Sequence, residues 1–190
     1  MKGMAFVKSK DALRTAMECT GQQGVMWTDR PRLESGAVGA AVAYRDGERW
    51  VKRGTYLGKN KEVFDAEVYA ILRAAKLLDE RGERDRAYLV FSDSQAAIAR
   101  VQHDETGLAQ ALAKATIRIV DSLTCRANTL TVRWTPAHRG AEGNEMADGM
   151  ARTAVERTRG ESTEQVYLRE ASLSHLTRLT TEAQSKAADK

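Results

Sequence analysis

The sequence predicts an α/β domain built on a five-stranded mixed sheet, its first three strands antiparallel and its flanks covered by helices. Three observations predict it. Apolar runs of strand length recur along the chain, and two of them end on an aspartate. Longer stretches between them repeat their apolar residues at a helical period. A strong turn signal, Asp46-Gly47, separates two further strand-like runs.

The elements follow in order. Gly24-Val25-Met26-Trp27-Thr28-Asp29 is a short apolar strand that stops on a carboxylate. Gly39 to Tyr44 and Trp50 to Leu57 flank the Asp46-Gly47 turn and form a hairpin. From Glu62 to Arg81 the pattern becomes helical, with Phe64, Val68, Ile71, Ala75 and Leu78 on one stripe. Ala87 to Ser92 is a strand again, and Asp93 follows it. Ser94 to Val101 and Glu105 to Thr124 read as two helices broken around Asp104 and Gly107. Leu130 to Trp134 alternates like a strand and stops before Pro136, and a last helix runs from Glu142 to Glu156. The order β-β-β-α-β-α-α-β-α gives a hairpin-led sheet whose later strands return through helices.

A chain of 190 residues with two prolines suits one domain, expected over residues 24–158. Residues 1–23 and 159–190 are polar, lack a strong period and read as linkers or adjuncts, with Leu173, Leu176 and Leu179 able to mark a short helix. Cys19 and Cys125 form no Cys-x-x-Cys pair and read as reduced thiols. The N-terminus lacks the apolar core of a signal peptide, and no apolar run approaches a bilayer span. The expectation is a soluble intracellular protein of cytoplasm or nucleus, monomeric as this fragment and without membrane partners. Net charge is only +4, but its distribution is uneven. Arg30, Arg32, Arg45, Arg49, Lys52, Arg53, Lys59 and Lys61 form one basic segment; Lys114, Arg118, Arg126, Arg133 and Arg139 form another. Together they could present one positive face to phosphates.

Acids carry the chemistry. Asp29 and Asp93 both close an apolar strand after Thr28 or Ser92, and strand ends are rigid platforms. Glu67 lies about 60° from Phe64 and about 40° from Ile71 around its helix, on the rim of the apolar stripe. An acid turned toward the sheet must be paired or bind a metal, because burying it alone is costly. Asp148 shares a helix face with Asn144, one turn earlier. Carboxylates brought together repel, and divalent cations are the natural remedy.

Trp134-Thr135-Pro136-Ala137-His138-Arg139-Gly140-Ala141-Glu142-Gly143-Asn144-Glu145-Met146-Ala147-Asp148 sets a strand, a histidine loop and an Asn-Glu-x-Ala-Asp helix in order. This segment closely resembles the signature of the ribonuclease H domains attached to retroelement reverse transcriptases. Ala66-Glu67-Val68-Tyr69-Ala70-Ile71 is similar to that family's glutamate helix, and Ser92-Asp93-Ser94-Gln95-Ala96-Ala97-Ile98 to its third-acid segment. The resemblance covers about residues 24 to 156 and holds several spaced motifs in order, which is far more specific than any one alone. Two departures stand out. Arg30-Pro31 follows Asp29 where the family often has Gly-Ser, and Ser94 to Thr124 leaves no room for the extra basic helix of some cellular members.

The resemblance implies a ribonuclease H-like fold and endonucleolytic hydrolysis of the RNA strand of RNA–DNA hybrids. It implies two Mg²⁺ ions, with Mn²⁺ able to substitute, and an adjoining reverse transcriptase domain as partner. Asp29 would bridge both ions, Asp148 would help hold the first, and Glu67 and Asp93 the second. His138 would assist proton transfer or product release, and Asn144 and Glu145 would support the site. Arg30, Asn60, Ser94, Arg139 and Asn144 are candidate substrate contacts, with Arg32 a further phosphate contact; hybrid recognition requires contacts to 2′-hydroxyls and backbone. The competing readings are a catalytically silent binding or scaffold domain and a DNA-acting nuclease of the same broad fold, such as an integrase. Retention of all four acids opposes the first; their order and the Trp134–Asp148 segment oppose the second.

Overall fold

A computed structural model describes residues 4–7, 12–19, 24–30, 35–59, 62–103 and 106–157. Its elements are β1 (Met4–Val7), α1 (Ala12–Glu18), β2 (Val25–Asp29), β3 (Ala37–Asp46), β4 (Arg49–Lys59), α2 (Val63–Glu80), β5 (Ala87–Ser92), α3 (Gln95–Val101), α4 (Gln110–Cys125), β6 (Thr129–Trp134) and α5 (Glu142–Arg157). The strands form one sheet in the order β1-β6-β5-β2-β3-β4. β2, β3 and β4 pair antiparallel, whereas β2 with β5 and β5 with β6 are parallel. The five expected strands and the antiparallel start of the sheet are therefore present. Among the described residues no helix is long and apolar enough to cross a membrane.

Strand alternation divides the core between the two faces of the sheet. Met26, Val38, Val42, Val90 and Val132 face α2, α3 and α4, packing against Ile71, Leu72, Leu78, Ile98 and Leu123. Val25, Trp27, Ala43 and Phe91 face the other way, against Ala16 of α1 and Ala141 and Ala147 at the start of α5. Trp27 stacks on Phe91 with ring centroids 5.8 Å apart and meets Trp50 edge-on at 5.6 Å. The hairpin turns at Gly47, whose φ of 59° is easily adopted without a side chain.

Two features depart from the sequence reading. β1 and α1, not among the expected elements, arise in the stretch read as a linker or an adjunct to the domain. β1 extends the sheet as a sixth strand, parallel to β6, and Ala16 of α1 is fully buried in the second core. α4 starts at Gln110 rather than Glu105, because Gly107 and Ala109 take positive φ and break the helical path. The candidate helix around Leu173, Leu176 and Leu179 lies outside the described residues.

α5 rests directly on Trp27. A Cβ at Gly143 would lie 2.1 Å from the indole ring, so glycine is what lets the helix approach. In an open helix, glycine to alanine gains up to about 1 kcal/mol. Here the sign should reverse: Gly143→Ala is expected to cost about 1–3 kcal/mol through overpacking. Thermal denaturation would show this as a fall in Tm of roughly 3–10 °C. A raised Tm would mean that α5 does not depend on this close approach.

Candidate active site

β2 and β5 run side by side in the same direction, with Thr28 opposite Ser92. The next residue of each chain is an aspartate, so Asp29 and Asp93 leave adjacent strands at the same end of the sheet. Hydrogen bonds hold that end in place. Thr28 Oγ1 donates to the Phe91 carbonyl at 3.0 Å, Trp134 Nε1 to the Asp93 carbonyl at 3.0 Å, and the Thr135 amide to the Ser92 carbonyl at 3.0 Å. Glu67 comes from α2 and is only 5% exposed, and Asp29 only 4%. Asp148 comes from α5, seated through Gly143 on Trp27 beneath.

The four acids sense one another. Burial pushes the Asp29 carboxyl up to about 8, helped by the negative charges of Asp93, Asp148 and Glu67 and opposed by the Arg30 amide. Burial also raises Glu67 to about 7, against the hydrogen bond from Arg30 and with the charge of Asp93 adding to the rise. Asp93 is raised by burial too, while Arg30 and His138 lower it. These are desolvated like charges crowded around one position.

Among the described residues, His138, Glu145 and Asp148 form a group that could hold a metal ion, their donor atoms lying within 4.8 Å of one another. Asp29 and Asp93 are linked to Asp148 through their fields, and Glu67 to Asp29 and Asp93 in the same way. Arginines stand between the acids. Arg30 Nε donates to Glu67 Oε1, and Arg152 Nε donates to both oxygens of Asp148 at 3.0 and 3.1 Å. His138 is exposed, with φ of 50°, on the turn between β6 and α5. A non-glycine residue held in that region costs energy, and such strain is common at functional loops.

The candidate substrate contacts divide. Arg139 is exposed on the His138 loop, and Arg30 reaches into the acids. Ser94 is the N-cap of α3, its hydroxyl accepting from the Ala97 amide at 3.3 Å, so that oxygen already serves the fold. Asn144 is 1% exposed, with both side-chain amide atoms buried and without hydrogen-bond partners among the described residues. Asn60 and Arg32 lie outside the described residues. Arg152 was missed by the sequence reading, although its i,i+4 spacing from Asp148 was visible.

The donors suit a hard divalent cation. They are carboxylate oxygens, and Glu67 Oε2 and Asp93 Oδ1 are buried with no hydrogen-bond partner among the described residues. A separate cleft of about 520 Å³ opens at the other end of the sheet, lined by Tyr44, Arg81, Glu83 and Tyr88. It lies away from the acids.

The raised carboxyls carry a pH prediction. Asp29 moves from 3.8 to about 8 and Glu67 from 4.5 to about 7, so between those limits the folded chain holds more protons than the unfolded one. Their contribution to metal-free stability is complete below about pH 4 and is lost as pH rises through 7 and 8. Melting in chelator should therefore show Tm falling from pH 5 to pH 8.5. The Tm gained on adding Mg²⁺ should grow over the same range, since the ion replaces those protons. An equal Mg²⁺ gain at both ends would contradict the crowding of ionisable acids.

The RNase H family pattern matches residues 21–156. No curated protein matches this chain. Among solved structures, RNase H1 of the halophilic archaeon Halobacterium salinarum NRC-1 is 20% identical, with a TM-score of 0.53 over 70% of this chain and 98% of that one. LC11-RNase H1, solved with an RNA/DNA hybrid, is 22% identical with a TM-score of 0.55, over 70% and 96% of the two chains. The N-terminal RNase H domain of Rv2228c from Mycobacterium tuberculosis is 16% identical with a TM-score of 0.52, covering 69% and 97%.

Proposed function

Because the chain belongs to the ribonuclease H family, we propose that it cleaves the RNA strand of RNA–DNA hybrids internally, using two divalent cations, as part of a retrotransposon reverse transcriptase polyprotein. The observation that carries this reading is the convergence of the Asp93, Asp148 and Glu67 charges on a buried Asp29. Isolated surface acids would not be held against one another in this way. The complex of the similar LC11-RNase H1 with an RNA/DNA hybrid supports the choice of substrate. The retroelement context is supported by the Trp134 to Asp148 segment and the short connection between α3 and α4.

In this reading Asp29, Glu67, Asp93 and Asp148 would together hold the two ions. Divalent ions held there, Mg²⁺ or Mn²⁺ in its place, would supply activation of the attacking water and stabilisation of charge on the leaving 3′-oxygen. The chain's own residues do the rest. β2 and β5 fix Asp29 and Asp93 on rigid strand ends, and Gly143 sets the distance of α5 and hence the place of Asp148. His138, at 50° φ on an exposed turn, is free to move protons or aid product departure while the carboxylates stay put. Arg139 beside it is suited to a backbone phosphate.

The test is incubation of the purified chain with labelled RNA–DNA hybrid, RNA duplex and DNA duplex, each with Mg²⁺ or chelator. Hybrid should be cut in its RNA strand with Mg²⁺ alone. Binding of hybrid without cleavage in Mg²⁺ or Mn²⁺ would favour a silent scaffold domain instead.

A further inference from the structure

Arg30 occupies an unusual position for a cation. It directly follows Asp29 at the end of β2, its backbone amide donates to Asp29 Oδ1 at 2.6 Å, and its Nε donates to Glu67 Oε1. One residue thus ties together two acids that the proposed function gives to metal. The Glu67 side chain is 6% exposed and that of Arg30 30%, so this ion pair is largely shielded from water. Its charge also reaches Asp93 and favours the ionised carboxylate there. Arg152 on Asp148 is different: it is a neighbour one helical turn away, 55% exposed, and a pair of that kind is worth little.

We propose that Arg30 is a built-in counter-cation that stands in for the ion on the Glu67 side of the site and must release Glu67 before that ion binds fully. The inference rests on the metal reading of the four acids. Guanidinium and divalent cation compete for the same oxygen, and their like charges repel at close range. Glu67 Oε2 and Asp93 Oδ1 are buried and remain without hydrogen-bond partners among the described residues, so an ion that reaches the site has uncommitted oxygens to bind while Arg30 still holds Oε1. Exchange can then proceed without leaving the buried acids bare, which would be costly. Metal-free chain is kept ordered, and in return metal binds more weakly on this side than the acids alone would allow.

The experiment is calorimetric titration of metal-free protein with Mg²⁺, at about 0.15 M salt so that long-range fields are screened beyond roughly 8 Å. Wild type is compared with Arg30→Ala, Arg30→Lys and, as a control for loss of any nearby positive charge, Arg139→Ala. Arg30→Ala should tighten Mg²⁺ binding about tenfold, a typical coupling between competing ligands. Arg30→Lys should fall between it and wild type, and Arg139→Ala should change affinity much less. Melting gives an independent readout: Arg30→Ala should lower Tm in chelator yet enlarge the gain on adding Mg²⁺. Equal or weaker binding by Arg30→Ala, or equal tightening by Arg139→Ala, overturns the proposal. If neither wild type nor Arg30→Ala binds Mg²⁺, the metal reading itself falls, and this inference with it.

Discussion

Asp29→Asn is expected to abolish hybrid cleavage while leaving the chain folded, and to stabilise it when metal is absent. The two effects have one cause. Asp29 is the acid on which the other three charges converge, and it is buried at 4% exposure. An amide of the same shape removes the repulsion and the cost of ionising a buried carboxyl, so the metal-free protein should gain stability. The gain should be larger at pH 8.5 than at pH 5, since Asp29 is protonated in the folded chain well below about 8. In the proposed reading, the same change also removes one of the carboxylates that would hold the ions. Loss of a single charge-stabilising group already costs roughly 10²–10³ in rate, and a metal ligand should cost at least as much. Single-turnover rates on hybrid and melting at the two pH values measure both halves. Near-normal cleavage would remove Asp29 from the metal-holding role, and a less stable mutant in chelator would show that the acids are not in repulsion.

His138→Ala is expected to slow turnover by roughly 10 to 10⁴-fold, within or below the usual range for acid–base assistance. Mg²⁺ affinity should hardly change under the proposed roles, because carboxylates supply the ligands. The close grouping of His138 with Glu145 and Asp148 makes this a sharp test, since the same imidazole is placed where it could ligate. Calorimetric titration beside steady-state rates separates the possibilities. Slow turnover with unchanged affinity supports proton transfer or product release, and lost affinity would make His138 a ligand. An unchanged rate would leave it an exposed loop residue.

What was legible in the sequence is what local periodicity encodes. Asp29 and Asp93 could be placed together because each closes an apolar strand, and the parallel pairing of β2 with β5 then sets them side by side. Glu67 could be turned inward because its angle from the apolar stripe is fixed by helix geometry, and it is indeed buried. Tertiary effects were not legible. β1 has four residues, too few for a pattern, and exists through pairing with the edge of β6. The onset of α4 depends on a left-handed Ala109 that no propensity signals. Arg30, in a basic segment, read as a phosphate contact; only the fold shows that α2 brings Glu67 within its reach. Glu145 is a mixed case. Its i,i+3 relation to Asp148 was readable, but the nearness of His138, which takes positive φ in its loop, was not.

The most direct measurement is end-group analysis, by mass spectrometry, of the fragments released from a hybrid in Mg²⁺. Attack by a water at the phosphorus, with departure of the 3′-oxygen, leaves RNA fragments bearing 5′-phosphate and 3′-hydroxyl ends and an intact DNA strand. Chelator should stop the reaction. Fragments ending in 2′,3′-cyclic phosphate, or cleavage that continues in excess chelator, would mean that the four acids do not carry the chemistry assigned to them.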